Sequence, residues 1–216
     1  MPPASRVARQ ACRLAALLMA VLVVGVACGS ENASGPTQIE TTTTSPAPAL
    51  ALAALMTDTV PDGFVLQPDD VGDTGPSDLA KAVRDNPAPG TKDALESEGF
   101  VGGYQRLWVK RTTDDHDELI LFLYRFNSAD GATAEWTRLS DRSNASAAEP
   151  MMPFTPAGLP DGSSVGFEAS KGAKHAVSIG VHDGVHLVLV ISNGTASAEE
   201  TRVRATDLAA AELTRI

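Results

Sequence analysis

Residues 118–126 read ELILFLYRF, a stretch in which only Glu118 and Arg125 carry charge. A strand with one wet face alternates apolar and polar residues, whereas a run this continuous needs cover on both faces. It therefore predicts a central strand with layers above and below it. The segment before it, GYQRLWVKR (103–111), is separated from it only by the acidic TTDDHD, and the pair reads as a hairpin. Three further strand-like runs follow: SVGFEASK (164–171), KHAVSIGV (174–181) and VHLVLVIS (185–192). The first alternates Val165, Phe167 and Ala169 with Gly166, Glu168 and Ser170, as a half-exposed strand does. The third is apolar throughout and reads as a second central strand. Asp183-Gly184 reads as the tight turn between the last two, which pairs His182 with Val185 and Val181 with His186.

Helical signals interleave with these runs. A short helix is expected from Ser77 to Asn86, burying Leu79 and Val83 and stopping before Pro87 and Pro89. Thr91 is placed to cap KDALESE, with Gly99 past its end, and Ser128 to cap a helix that sets Ala132, Trp136 and Leu139 on one face. Ser197 and Glu200 have the spacing of a capping box. The helix they open would bury Val203, Ala209, Ala210, Leu213 and Ile216. Hairpin connections mean an antiparallel sheet. The expected fold is α+β, about five antiparallel strands with helices packed on the sheet; helices on both faces would make it an α/β/α sandwich.

The amino-terminal third obeys different rules. Arg6, Arg9 and Arg13 precede a 14-residue charge-free run from Leu14 to Ala27, followed by Cys28, Gly29 and Ser30. A spanning helix needs ~20 apolar residues, so this run is short for that purpose. Basic start, apolar middle and small residues at the end form the pattern of a secretory signal peptide. Ser30–Ala49 is rich in Ser, Thr and Pro with Ile39 its only large apolar side chain, a composition that cannot bury a core. The expected organisation is a signal peptide over 1–27, a lipidated Cys28 with a disordered tether over 28–56, and a single α+β domain over 57–216. Periodicity leaves residues 49–56, ALALAALM, open between helix and strand.

GVAC followed by GS resembles the lipobox of bacterial lipoproteins, which implies that Cys28 is lipidated and becomes the mature amino terminus. Val26 and Ala27 fit that pattern. Gly25 departs from the large aliphatic residue usual three before the cysteine, and cleavage after Ala27 by an ordinary signal peptidase, giving a soluble secreted protein, is the alternative. With its lipobox, Thr/Pro tether and one acidic domain with Ala-rich helices, the chain is similar to small envelope lipoproteins of high-GC Gram-positive (actinobacterial) bacteria. Its expected shape resembles the PsbP-like domain of some of them. The resemblance implies an exported protein on the outer face of the cell membrane and transfers no catalytic residue.

Charge and cysteine usage bound the partners. The chain has 17 basic and 27 acidic residues, and without Arg6, Arg9 and Arg13 the balance is 14 against 27, or -13. Such a surface repels nucleic acid and anionic headgroups. Of the two cysteines, Cys12 lies in the leader, so the domain has no disulfide and must rest on its core.

The chemical constellations are thin. GSSVG (162–166) matches G-x-S-x-G and would make Ser164 a nucleophile, with His175, His182 or His186 as base and Asp183 or Asp207 to orient it. A nucleophile elbow joins strand to helix, whereas here a turn precedes and a strand follows. His182 and His186 have metal-like spacing only if helical, and a hairpin sets them on opposite faces. Asp114, Asp115, Asp117 and Glu118 lack the glycine-centred spacing of a calcium loop. Trp108, Tyr104, Phe122, Tyr124 and Trp136 could line an apolar pocket or fill the core. The expectation is a non-enzymatic, membrane-anchored lipoprotein with no cofactor, binding an envelope protein or an apolar or small ligand. A serine hydrolase using Ser164 is the alternative.

Overall fold

The computed structural model describes residues 46–59, 62–68, 74–111, 113, 115–145 and 151–216. Along these the elements run α1 (Pro46–Leu55), β1 (Val65–Leu66), β2 (Gly75–Ser77), α2 (Leu79–Asp85), α3 (Thr91–Ser97), β3 (Phe100–Arg111), β4 (His116–Phe126), α4 (Ala129–Ala145), β5 (Met152–Phe154), β6 (Ser164–Lys171), β7 (Lys174–Asp183), β8 (His186–Gly194) and α5 (Ala198–Leu213). The eight strands form one antiparallel sheet in the order β1-β3-β4-β8-β7-β6-β5, and β2 also pairs with β3, beyond β1 on the same edge.

The order has a simple origin. β3 and β4 are a hairpin, and β5 to β8 are a meander that returns to lie against β4. α4 crosses the sheet to connect the two groups. β4 and β8 therefore sit side by side in the interior, where their continuous apolar runs require them to be. Asp117 to Tyr124 are all buried.

Alternation along these strands makes two cores. Trp108, Leu119, Leu121, Leu123, Val177, Ile179, Val181, Val188 and Val190 face one way, under Leu52 and Met56 of the α1 segment and Ala205, Leu208 and Ala209 of α5. Leu107, Ile120, Phe122, Tyr124, Phe126, Leu187 and Ile191 face the other way, under Ala82 of α2, Leu95 of α3, and Ala132 and Leu139 of α4. Burying one such side chain contributes about 1.5 to 3 kcal/mol. The sheet is thus sandwiched between helical layers, and the α+β class holds with more strands than five, because β1, β2 and β5 are too short to leave a period.

Local expectations fared unevenly. The Ser128 hydroxyl accepts from Gly131 N at 3.1 Å, the cap expected of it. The Ser197 hydroxyl accepts from Glu200 N at 3.2 Å, but the Glu200 carboxylate goes to Arg204 at 3.2 Å rather than back to the cap. Ser77 belongs to β2, and Asp78 caps α2 by accepting from Lys81 N at 2.8 Å. Gly90, not Thr91, is the N-cap of α3, because the Thr91 side chain turns into the protein and is buried.

Two further corrections concern faces and register. Val203 is 47 % exposed, and the inward stripe of α5 is Thr201, Arg204, Ala205, Leu208, Ala209 and Glu212. That stripe follows i, i+3, i+4, i+7 closely, but three of its members are polar or charged, which hid it from an apolar count. In the β7–β8 hairpin Asp183 pairs with His186 and His182 with Leu187, so the two turn residues are Gly184 and Val185. A positive φ is needed only at the first central residue of a II′-type hairpin turn, and Gly184, at 53°, supplies it.

Candidate functional site

The stretch 49–56 is helical and fastened to the domain by a clasp. The last carbonyls of a helix lack partners within it and take donors from elsewhere. At the end of α1, Arg215 donates from Nε to the Leu55 carbonyl at 2.7 Å and from Nη2 to that of Ala54 at 3.4 Å. Arg106 donates from Nη1 to the Thr57 carbonyl at 2.8 Å and from Nη2 to that of Ala53 at 3.4 Å. Glu212, fully buried, accepts from Thr57 N at 2.8 Å. Burial raises the Glu212 carboxyl above its ordinary range, against the lowering effect of the Arg215 and Arg106 charges.

Sequence reasoning missed all three residues, yet a signal existed. Arg106 is in phase with Tyr104 and Trp108 on the core face of β3, and Glu212 with Leu208 and Ala209 on α5. A charge that falls on a core position marks a paired site. Hydrogen bonds to charged groups contribute about 1.5 to 3 kcal/mol each. The pair of substitutions Arg106→Ala and Arg215→Ala is accordingly expected to speed hydrogen exchange at the Met56 and Thr57 amides roughly tenfold or more. Unchanged exchange there would show that the arginines do not hold α1.

A second charged assembly lies at the base of α5. Arg204 and Asp117, each nearly devoid of exposure, pair at 3.4 Å. Asp117 also accepts from Thr195 N at 2.8 Å, and the Arg204 guanidinium lies 4.7 Å from the centre of the Phe64 ring, which Lys110 also approaches at 6.0 Å. Of the acidic residues singled out for calcium, Asp114 lies outside the described residues. Asp115 pairs with Lys174 at 2.6 Å, which holds its carboxyl below the usual range. Glu118 pairs with His116 at 3.0 Å on the other face of the strand from Asp117. His116 also lies 3.5 Å from Asp115, so it joins Asp115 and Glu118, while Asp117 is held apart by Arg204 and Thr195.

The opposite layer holds more buried polarity. Lys81 bonds Asp85 at 2.6 Å and also Gln105, Arg142 bonds Asn86, and Arg138 bonds Glu135 from Nε at 2.7 Å. Beside α4 the sheet leaves an apolar cleft lined by Trp136, Leu139, Val165, Phe167, Gly180 and Leu189. It holds about 30 Å³. That is room for a water molecule or two, whereas a ligand pocket holds ~300 to 1,000 Å³.

Ser164 opens β6, and its hydroxyl donates to the Pro160 carbonyl at 2.8 Å. His175 is hydrogen-bonded to Ser170 at 2.8 Å, and His182 lies edge-on to Trp136 with ring centres 5.1 Å apart. His182 pairs with Leu187 on the α4 side, while His186 pairs with Arg125 and Asp183 on the α5 side, where burial and the Arg125 charge lower its affinity for a proton. The two histidines are thus on opposite faces. Among the described residues, no group of three or more His, Cys, Asp or Glu side chains is placed to hold a metal ion. Of the five aromatics, Trp108 and Tyr104 pack on the α5 side and Phe122, Tyr124 and Trp136 on the other, so the sheet divides them. Cys28 and residues 1–27, where a signal peptide is expected, lie outside the described residues.

Among the described residues no helix is long and apolar enough to cross a membrane. No protein-family model matches the chain, and no curated protein does. Among solved structures the chain is similar to the crystal structure of the extracellular domain of PknH from Mycobacterium tuberculosis. The two are 12 % identical, the match covers 76 % of this chain and 97 % of that one, and the TM-score is 0.43. A likeness of that size transfers neither a site nor an activity.

Proposed function

We propose that this chain is an exported envelope lipoprotein, held through Cys28 to the outer face of the cell membrane, whose acidic domain is non-enzymatic and recognises a protein partner. The observation that carries this reading is the charge-free run Leu14–Ala27, set behind three arginines and ending at Ala27-Cys28. Two lipid chains on Cys28 would make anchoring stable. Between Cys28 and α1 lie 17 residues rich in Ser and Thr, a composition that suits a spacer. The clasp on α1 supports the same reading, since it gives that spacer a fixed point of attachment at the end of a gripped helix. With 27 acidic against 14 basic residues after the leader, the partner is expected to present basic groups.

The test is fractionation and intact mass. The wild-type protein is expected in the membrane fraction, lacking residues 1–27 and carrying acyl chains, and Cys28→Ser is expected to abolish acylation and membrane retention. A wild-type product with an unmodified Cys28, or one that keeps its leader, would overturn the proposal.

A further inference from the structure

Where the C-terminal end of α3 meets α4, two carboxyl groups share one guanidinium. Arg138 bonds Glu135 from Nε at 2.7 Å and again from Nη2, and its Nε lies 3.8 Å from Glu98 Oε1. The Glu135 side chain is 1 % exposed and that of Glu98 12 %. Glu98 Oε2 is buried without a partner of its own, and the Glu98 and Glu135 carboxyls face the same Arg138 guanidinium. An orphaned buried carboxylate oxygen is costly. Two carboxylates that share one buried guanidinium resist ionising together, and a proton on one of them supplies the missing donor.

We propose that Glu98 and Glu135 hold a single proton between them in the folded domain at neutral pH, so that α3 is locked to α4 by a carboxylic acid–carboxylate hydrogen bond. With that proton in place, the charges of Glu98, Glu135 and Arg138 sum to zero. Without it, two negative charges face one guanidinium in a buried site. The other groups nearby are Arg142, which bonds Asn86, and Tyr124 of β4, which burial and the charges of Asp85 and Glu135 keep in its neutral form. Behind Tyr124, Asp85 is already paired with Lys81. Burial, and then Glu98, push the Glu135 carboxyl up to about 8 against the pull of Arg138.

The sign of the pH dependence follows. A carboxyl that holds its proton more tightly folded than unfolded contributes stability below its unfolded value, near 4.5, and loses it as pH rises to about 8. Within that window the folded-to-unfolded ratio falls about tenfold per pH unit through this site alone. Glu135→Gln keeps an N–H donor for Glu98 and removes the proton. The variant is therefore expected to lack that tenfold-per-unit component when full-length wild type and variant are unfolded in denaturant between pH 5 and 8. In the wild type, carboxyl-carbon NMR is expected to show the Glu135 carboxyl titrating near pH 8. The lock is refuted if the Glu135 carboxyl titrates below about 5, or if Glu135→Gln keeps the wild-type slope. If that variant does not fold, the titration of the wild-type protein decides alone.

Discussion

Gly131→Ala is expected to destabilise the protein by about 3 kcal/mol, although the same change in an exposed helix interior would stabilise it by about 1 kcal/mol. The reason is a close approach. Gly131 lies in the first turn of α4, and a Cβ placed on it would overlap the Glu98 carbonyl oxygen at the end of α3. That oxygen is backbone and cannot rotate away, so relief requires α3 and α4 to separate, which also pulls Glu98 from Glu135. The Ser128 cap donor, Gly131 N, survives the substitution, and any loss therefore reports packing. For a domain of this size the change amounts to a fall in Tm of roughly 6 to 12 °C. A variant that melts at or above the wild-type temperature would show that helix propensity, and not the contact, governs the position.

Removing the Arg204 side chain should cost still more. Asp117 and Arg204 are both buried, and deleting one partner of such a pair costs about 3 to 5 kcal/mol because the other charge is left without compensation. Arg204→Ala also strips the Phe64 ring of its stacked guanidinium and leaves Glu200 without its partner. A drop in Tm of about 10 °C or more is the expected result. Combining Arg204→Met with Asp117→Asn should recover a large part of the loss, since neither introduced side chain is charged and the amide oxygen that replaces the carboxylate can still accept from Thr195 N. If the double variant melts no higher than Arg204→Ala, the loss does not come from an abandoned charge. The pair is then not what secures α5.

Both positions show where local reading stops. Gly131 is an unremarkable glycine in the sequence, and its role exists only because Glu98, 33 residues earlier, is brought against it. Arg204 falls on the inward stripe of α5, yet an apolar count passes over it and selects Val203, its solvent-facing neighbour. The clasp was hidden for the same reason, since Glu212 and Thr57 are 155 residues apart. By contrast, β4, β6, β7 and β8 were legible to within a few residues, as was the start of α4. Each has an unbroken period or an unbroken apolar run, and both are properties of neighbours in the chain.

The sequence by itself determined the α+β class, the two interior strands and the hairpin connections, because these follow from side-chain alternation and turn residues a few positions apart. The basic and then apolar pattern of residues 1–27 and Cys28 is likewise local, and it carries the proposal of an anchored, exported protein. Tertiary structure alone decided which charges are buried, which side of the sheet each aromatic joins and what grips α1. Those outcomes depend on whether a distant residue supplies the opposite charge or the missing donor, since without one the desolvation cost would keep every such group at the surface.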